Sequence, residues 1–426
     1  MLLNDELEKS MLKTAVQFND FCYGNGGASR TAIDTAVGLA EDGIAVKFLG
    51  AVGPVCEELR HPLIEVTSLN QSELLDVAKK PSVALQGLWN PAAAKAAREI
   101  LAACDPRTTV VHVHGWTKAL TTAPVREVMR AGFSSVLTLH DFFAACPNGA
   151  FYDYRAQRCC KLRALSRECI ATHCDKRSLG HKAYRVVRGL VQAKVGHFPL
   201  GIRNHIASSA RTFDLMRPYL PADARLFPLE SAVLVERREP VRVKANRRIV
   251  AVGRLEPEKG VELLIEASRR AGVPITFIGD GPLRRVVESN SHCEVTGWKN
   301  STEVFELLST ARALVFASLW YETYGLVVGE ASALGVPSIV SDVSAAAERV
   351  AHGRSGWVFR SGDAEELSRC LQGVADDDAV ERMGRAAYDR FWSNAPTRAR
   401  YTRELREIYQ QILAPAEDFG AQQTAQ

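Results

Sequence analysis

The sequence lacks any long hydrophobic run and any strong excess of one charge. No stretch of its 426 residues approaches the ~20 consecutive apolar residues that cross a bilayer. The formal net charge is only +4, whereas a dedicated nucleic-acid-binding protein carries a denser basic surface, so we expect no nucleic-acid partner. The first residues, MLLNDELEKSMLK, have early acids and no apolar core, which argues against a secretory signal and favours a cytoplasmic protein.

Regularly spaced cysteine pairs are also missing. In the cytoplasm we expect the ten cysteines to be mostly reduced thiols rather than disulfides. Half of them lie in one Arg- and Lys-rich segment, but their spacing does not match the C-x₂-C pairs of common zinc sites. Two interpretations stay open, a structural zinc held by four of these thiols or a set of buried thiols. The five residues are Cys146, Cys159, Cys160, Cys169 and Cys174.

Alternating strands and helices dominate both halves of the chain. In the first half the apolar pattern predicts strands over 13–21, 44–49, 109–114, 135–139 and 205–209, with 205–209 as the last strand of that half. It also predicts helices over 29–40 and 91–103. A polar stretch over 230–248 reads as a linker. Beyond it, strands are predicted over 248–252, 275–278, 313–317, 338–341 and 356–359. Such alternation predicts two parallel sheets covered by helices on both faces, with a cleft between two sets of strand ends.

Histidines follow two strands of the first half. His112 alternates with apolar neighbours, as a core residue does, whereas His114 ends its strand. His140 and Asp141 end the next strand, at the edge where open α/β sheets bind ligands. A lone histidine is usually structural, but a His-Asp pair in this place favours a functional role. The loop at Gly26-Gly27 follows the first strand, and it indicates either close approach of a ligand phosphate or a plain tight turn.

A basic amphipathic helix is predicted over 182–194. Lys182, Arg185, Arg188 and Lys194 accompany apolar residues at helical spacing. One interpretation is contact with an anionic lipid surface or a diphosphate-bearing acceptor. The alternative is a solvated face of a helix that packs on the core.

The second half carries the strongest chemical pattern, the stretch FASLWYETYGLVVGEAS that begins at Phe316. A predicted buried strand leads through a loop with Glu322 into a helix that carries Glu330. Free N–H groups at such a helix start bind anions, here those of Tyr324, Gly325 and Leu326. Arg254 and Lys259 lie in another strand-to-helix turn and suit a diphosphate. The plainer alternative is a helix with a charged first turn.

These motifs together resemble those of retaining glycosyltransferases of family four. The resemblance is specific over residues 248–362 and weaker in the first half. One departure lies in the second half, where the run Ser344–Glu348 replaces a Gly-Gly that commonly precedes the acid in the family. The motifs are Gly253-Arg254 with Lys259-Gly260, Gly279-Asp280-Gly281-Pro282, Glu322-x₇-Glu330, Gly26-Gly27, His112 with His114, and Thr138-Leu139-His140-Asp141.

The resemblance implies a fold and a separate role for each domain. It implies the α/β GT-B fold, two Rossmann-like doubly wound parallel-sheet domains that face each other across a cleft. Residues 1–232 would bind the acceptor, with a Cys-rich insert over 146–177. Residues 233–395 would bind the nucleotide sugar, and a terminal helix over 396–415 would cross back to the first domain.

It also implies the reaction and its participants. The donor would be a UDP-sugar or GDP-sugar, transferred with retention to a glycan or lipid-linked glycan of a cell-surface polysaccharide, and no metal cofactor would be required. The protein would be cytoplasmic, in peripheral contact with the anionic inner face of the plasma membrane. The catalytic residues would be His140, Arg254, Lys259 and Glu322. The donor-binding residues would be Gly26, Gly27, Gly253, Arg254, Lys259, Trp298, Glu322, Thr323, Tyr324, Gly325, Leu326, Val327 and Glu330.

Three other activities are compatible with a related fold. They are a sugar-nucleotide epimerase, a phosphorylase and a non-catalytic sugar-nucleotide sensor. A sensor would be expected to lose Arg254, Lys259 or Glu330, and all three are present.

Overall fold

The computed structural model of the protein describes residues 12–74 and 81–414. The sequence-based expectations for the N-terminal signal and for the polar tail after Pro415 lie outside these residues. The strands, labelled in chain order, are β1 Thr14–Phe21, β2 Ala45–Val52, β3 Ile64–Ser68, β4 Thr109–Val113, β5 Ser134–Thr138, β6 Tyr152–Asp153, β7 Arg158–Cys159, β8 Asn204–Ala207, β9 Arg225–Pro228, β10 Arg248–Val252, β11 Ile275–Ile278, β12 Cys293–Val295, β13 Ala311–Phe316, β14 Ser338–Ser341 and β15 Gly356–Phe359.

Helices connect and cover these strands in the described part of the chain. They are α1 Gly27–Glu41, α2 Pro81–Leu88, α3 Pro91–Ala102, α4 Ala123–Arg130, α5 Arg167–Ala171, α6 Leu179–Lys194, α7 Ala210–Met216, α8 Val261–Ala271, α9 Arg284–Glu288, α10 Ser301–Ser309, α11 Leu326–Leu334, α12 Ala364–Gly373, α13 Asp377–Ser393 and α14 Arg398–Leu413. None of them is both long enough and apolar enough to pass through a membrane.

The strands form two parallel sheets. The first is seven-stranded, in the order β3-β2-β1-β4-β5-β8-β9, and the second is six-stranded, in the order β12-β11-β10-β13-β14-β15. All pairings in both sheets are parallel. The central strands are buried along almost their whole length, as expected where helices cover both faces of a parallel sheet. The predicted α/β class with two doubly wound sheets is therefore confirmed.

The sequence-based prediction was wrong about the edges of the sheets. The strand at 205–209 is not the last of the first half, because β9 pairs beyond β8 at the sheet edge. Strands β3 and β12, at two other edges, were not predicted. Edge strands are partly exposed and lack the continuous apolar run that identifies a central strand.

The terminal helix α14 packs on the first sheet although it follows the second in the chain. Leu405 and Tyr409 are fully buried in a cluster with residues of β1 and α1. The Tyr409 hydroxyl lies 2.6 Å from Nδ1 of His112, and the Tyr401 hydroxyl lies 2.9 Å from Oγ1 of Thr35. These contacts join the end of the chain to its beginning.

Candidate functional site

Two strand-to-helix loops of the second sheet pack directly against each other. The first, residues 253–260, follows β10, and the second, residues 317–325, follows β13. Gly260 adopts φ 73°, and a Cβ at this position would overlap the carbonyl oxygen of Ala317. The N–H of Leu319 donates to the carbonyl of Glu258 at 2.9 Å. This close approach brings Lys259 of the first loop to the acidic residue of the second, Glu322.

Glu322 is the centre of the contact between the two loops. Its Oε1 is ion-paired with Nζ of Lys259, and it accepts hydrogen bonds from Nε1 of Trp320 at 2.6 Å and from Oγ of Ser318 at 3.0 Å. Burial would raise the pKa of Glu322, but Lys259 and these donors lower it below its usual range. Glu322 is therefore an ionised carboxylate next to the predicted phosphate-binding lysine.

Helix α11 begins beside this carboxylate. Gly325 is its N-cap with φ 82°, and no side chain caps the helix start. The first N–H groups thus have no side-chain acceptor, which favours an anion there. Glu330, one turn later, has no hydrogen bond or ion pair to any described residue, and burial raises its pKa. A half-buried carboxylate without a protein partner is a good acceptor for hydroxyl groups of a ligand.

The first sheet contributes the opposite wall of the site. Oγ1 of Thr323 donates to the carbonyl oxygen of His140 at 2.9 Å, so the end of β5 touches the Glu322 loop. An added Cβ on Gly27 would lie 3.5 Å from Cδ1 of Leu326, the first residue of α11. The carboxyl ends of β1, β5, β10 and β13 therefore converge on one cleft.

Three histidines form a contiguous row at the end of β4 and β5. His112 is fully buried, which confirms its predicted core position, and its Nε2 lies 2.6 Å from Oγ1 of Thr138. Nδ1 of His114 lies 3.1 Å from Nε2 of His140. Burial lowers the pKa of His140 to about 4 and holds those of His112 and His114 well below their usual value. All three imidazoles are therefore neutral at pH 7.

The remaining predicted residues lie at the rim of the site. The Gly253 loop and Lys259 line a small cavity with Ala317 and Ser318. The indole of Trp298 is 71% exposed, so its predicted contact with a base stays a prediction. The run Ser344–Glu348 packs against the Glu322 loop, since the N–H of Ala345 donates to the carbonyl of Glu322 at 3.0 Å.

Some site residues were missed by the sequence analysis. Ser318 and Trp320 hold Glu322, yet neither belongs to a spaced motif. The carboxylate of Glu348 accepts from the N–H groups of Ala210 at 3.1 Å and Arg211 at 3.0 Å, at the start of α7 in the first half. Only the position of Trp320, two residues before the predicted acid, gave any signal.

The described residues do not support the zinc interpretation of the Cys-rich segment. Among the described residues, which include all five of these cysteines, no three His, Cys, Asp or Glu side chains are placed to hold a metal ion. Instead Nζ of the buried Lys182 lies 3.2 Å from Sγ of Cys174 and 3.7 Å from Sγ of Cys169. Burial raises the pKa of Cys146 to about 11, so this thiol is protonated.

The second sheet contains the region that matches a known family. Residues 235–390 match the family model described as Glycosyl transferases group 1. This stretch includes both loops of the site, together with Glu330. The loops of the site thus lie within the stretch that matches this family model.

Individual relatives match parts of the chain. A glycogen synthase of Mycobacterium tuberculosis is 33% identical over 159 residues, which are 34% of this chain and 38% of that protein. A GDP-mannose-dependent α-(1-6)-phosphatidylinositol monomannoside mannosyltransferase of the same species is 29% identical over 207 residues, 42% of this chain and 52% of that protein. The chain therefore matches only about two fifths to one half of the length of these relatives.

Solved structures match almost the whole chain. Sucrose-phosphate synthase from Thermosynechococcus elongatus superposes with a TM-score of 0.65 at 17% identity, covering 94% of this chain and 99% of that one. Anabaena HepE, solved with UDP and glucose, gives 0.63 at 15% identity, covering 94% and 100%. The likeness shows the fold, and the chain has the GT-B architecture.

The buried position of His140 predicts an unusual titration. Its imidazole should stay neutral from pH 8 to 5 and take up a proton only near pH 4, measured as an NMR shift assigned with the variant His140→Gln. A histidine pKa that is lower in the folded state than in the unfolded chain means that the unfolded chain binds more protons below ~6.5. The free energy of unfolding should therefore fall as the pH drops from ~6.5 towards 4. An inflection of the His140 signal near pH 6.5 would contradict the burial argument.

Proposed function

We propose that the protein is a retaining, metal-independent glycosyltransferase that moves a sugar from a nucleoside diphosphate sugar to a glycan or lipid-linked glycan of a cell-surface polysaccharide. The observation that carries the proposal is the cleft itself. It places Lys259 and an open helix start beside an ionised carboxylate, with Arg254 in the same loop as Lys259. The helix also carries a second carboxylate, Glu330, that has no partner among the described residues. Residues 233–395 would bind the donor and residues 1–232 the acceptor. Solved neighbours of the same fold hold UDP, or UDP with glucose, which supports a nucleotide-sugar donor.

Charge and hydrogen-bonding capacity indicate which residues would bind each part of the donor. Arg254, Lys259 and the first N–H groups of α11 would neutralise the leaving diphosphate, with Gly26 and Gly27 facing it across the cleft. Glu330 would accept from the ribose hydroxyls, and Glu322 from those of the transferred sugar. Because positive charge is already in place, the leaving group needs no divalent metal.

Retention would proceed on one face of the sugar. Glu322 is a poor candidate for a covalent nucleophile, because Lys259, Trp320 and Ser318 already engage its Oε1. The leaving phosphate would instead accept the acceptor's proton. His140 would face the donor sugar as a neutral hydrogen-bonding group.

A cavity beside the cleft suits the acceptor. It measures about 290 Å³, and Phe143, three residues after His140, forms part of its lining. Its lining combines apolar Leu74 and Phe143 with the cations Lys118 and Arg188. Arg188 stacks 5.3 Å from the Phe143 ring and forms no ion pair with any described residue. A phosphate that carries an apolar chain matches this combination of groups.

Membrane contact was predicted from the basic residues of α6, and that part of the prediction needs correction. Lys182 is buried among the thiols, Arg185 is paired with Asp175 at 3.1 Å, and Arg188 donates to the carbonyl of Thr117 at 2.8 Å. The outward face is apolar, with Val187 47% and Leu190 43% exposed. The helix has no acidic residue, so we propose that this face rests on an anionic lipid surface.

The experiment that tests the function uses labelled UDP-sugars and GDP-sugars with a lipid extract. Label should move to the lipid phase, and it should do so equally in the presence of EDTA, because the protein's own cations oppose the charge of the leaving group. Loss of transfer in EDTA, restored by Mg²⁺ or Mn²⁺, would contradict the metal-free proposal. Conversion of the free nucleotide sugar to an epimer, without transfer, would favour an epimerase instead. Binding without turnover would favour a sensor.

The two cations of the site should be needed for turnover. Lys259→Ala and Arg254→Ala should each lower kcat by about 100-fold, or ~3 kcal/mol, because each opposes charge that develops on the leaving diphosphate. The matched control is Arg269→Ala, an exposed arginine in the last turn of α8, at the end away from the first loop, which should keep its activity. Near-normal kcat in either site variant, with an intact circular dichroism spectrum, would contradict the assigned roles.

The exposed face of α6 should bind anionic membranes. The protein should float with liposomes that contain phosphatidylglycerol, and Val187→Glu with Leu190→Glu should abolish this flotation, since both side chains would enter the headgroup region. Val286→Glu is the matched control, because Val286 is 38% exposed on the second sheet's helix α9. Flotation that survives the double substitution, or that the control also loses, would exclude this face as the contact.

A further inference from the structure

The Cys-rich segment of the first half reaches across to the donor loop of the second. Nζ of Lys176 lies 3.0 Å from Oε1 of Glu256 and 2.8 Å from Oε1 of Glu258. Both carboxylates belong to the loop that carries Arg254 and Lys259. Glu258 is only 2% exposed, so its pairing with Lys176 occurs largely out of water. A lysine from the first half of the chain thus pairs with both glutamates of a loop in the second half.

Arg254 and Lys176 share one carboxylate. Nη1 of Arg254 lies 3.2 Å from both carboxylate oxygens of Glu256, and Nζ of Lys176 reaches Oε1 of the same group. Burial and the neighbouring carboxylate raise the pKa of Glu258, whereas Lys176 and Arg254 help to lower the pKa of Glu256 against the effect of burial. Glu256 is therefore the more acidic carboxyl of the pair, and two cations compete for it.

We propose that Lys176 is a positioning residue that holds the charge of Glu256 and so frees Arg254 to bind the diphosphate of the donor. The inference rests on the proposed function, since it assigns Arg254 to that diphosphate. Without Lys176, Glu256 would have Arg254 as its only cationic partner among the described residues. Arg254 would then remain paired with Glu256, and an uncompensated carboxylate would repel the incoming anion.

The surroundings of Lys176 hold it in place for this task. The preceding residue, Asp175, is fully buried and paired with Arg185 of α6 at 3.1 Å. The ring of Tyr154 lies 5.8 Å from Nζ of Lys176, and the N–H of Tyr154 donates to the carbonyl of Cys174 at 3.3 Å. The end of the Cys-rich segment is thereby anchored on the first sheet's side while its lysine extends to the second.

The test measures binding of UDP and GDP by calorimetry, and donor KM where transfer is seen. Lys176→Ala should weaken binding by about tenfold for the nucleoside diphosphate that the wild type prefers, because Arg254 would then stay paired with Glu256. Adding Glu256→Gln should restore most of that affinity, because it removes the charge that retains Arg254. Lys176→Arg should keep it, and Arg177→Ala is the matched control, an exposed cation next in the chain.

The outcomes separate this inference from the proposed function. Weaker binding in Lys176→Ala that Glu256→Gln restores supports the inference, since a lysine that merely anchored the segment would not be rescued by loss of its second partner. Equal binding in Lys176→Ala and wild type overturns it, as does weaker binding without rescue. A wild type that binds neither UDP nor GDP contradicts the proposed function itself. Melting temperatures of each variant show whether the fold is retained.

Discussion

The candidate site depends on the close packing of two strand-to-helix loops, residues 253–260 and 317–325. Gly260 lies against the carbonyl of Ala317 with no room for a side chain, and the backbone of Leu319 is hydrogen-bonded to that of Glu258. This packing brings Lys259 to Glu322, and the start of α11 lies beside both. A parallel sheet supplies this arrangement naturally, since neighbouring strands deliver their loops to one edge.

Charge in the cleft is balanced within the protein, and the balance extends over both sheets. Glu322 pairs with Lys259, and Glu256 pairs with both Arg254 and Lys176. In the proposed function, an incoming diphosphate would replace carboxylates as the partner of these cations. The affinity for the diphosphate would then depend on which other cations pair with the displaced carboxylates. The partly buried setting matters, because ion pairs shielded from water interact more strongly than exposed ones.

The second sheet was largely predictable from the sequence. Strands β10, β11, β14 and β15 have the predicted bounds, because central parallel strands are short apolar runs between turn residues. The residues of its two loops also meet as the motifs predicted. The first half was less predictable. Its edge strands are partly exposed, and the Cys-rich segment has no period that identifies its partners.

The sequence by itself determined the fold class and the residues that share each loop of the candidate site, because spacing along one strand and one helix fixes which residues lie in one loop. Only the tertiary structure decided which groups meet from distant parts of the chain. It buried Lys182 among thiols, turned the apolar face of α6 outward, and brought Lys176 to Glu256 and Thr323 to His140. Such contacts depend on how the two sheets and the segment between them pack, and no local pattern of residues records that packing.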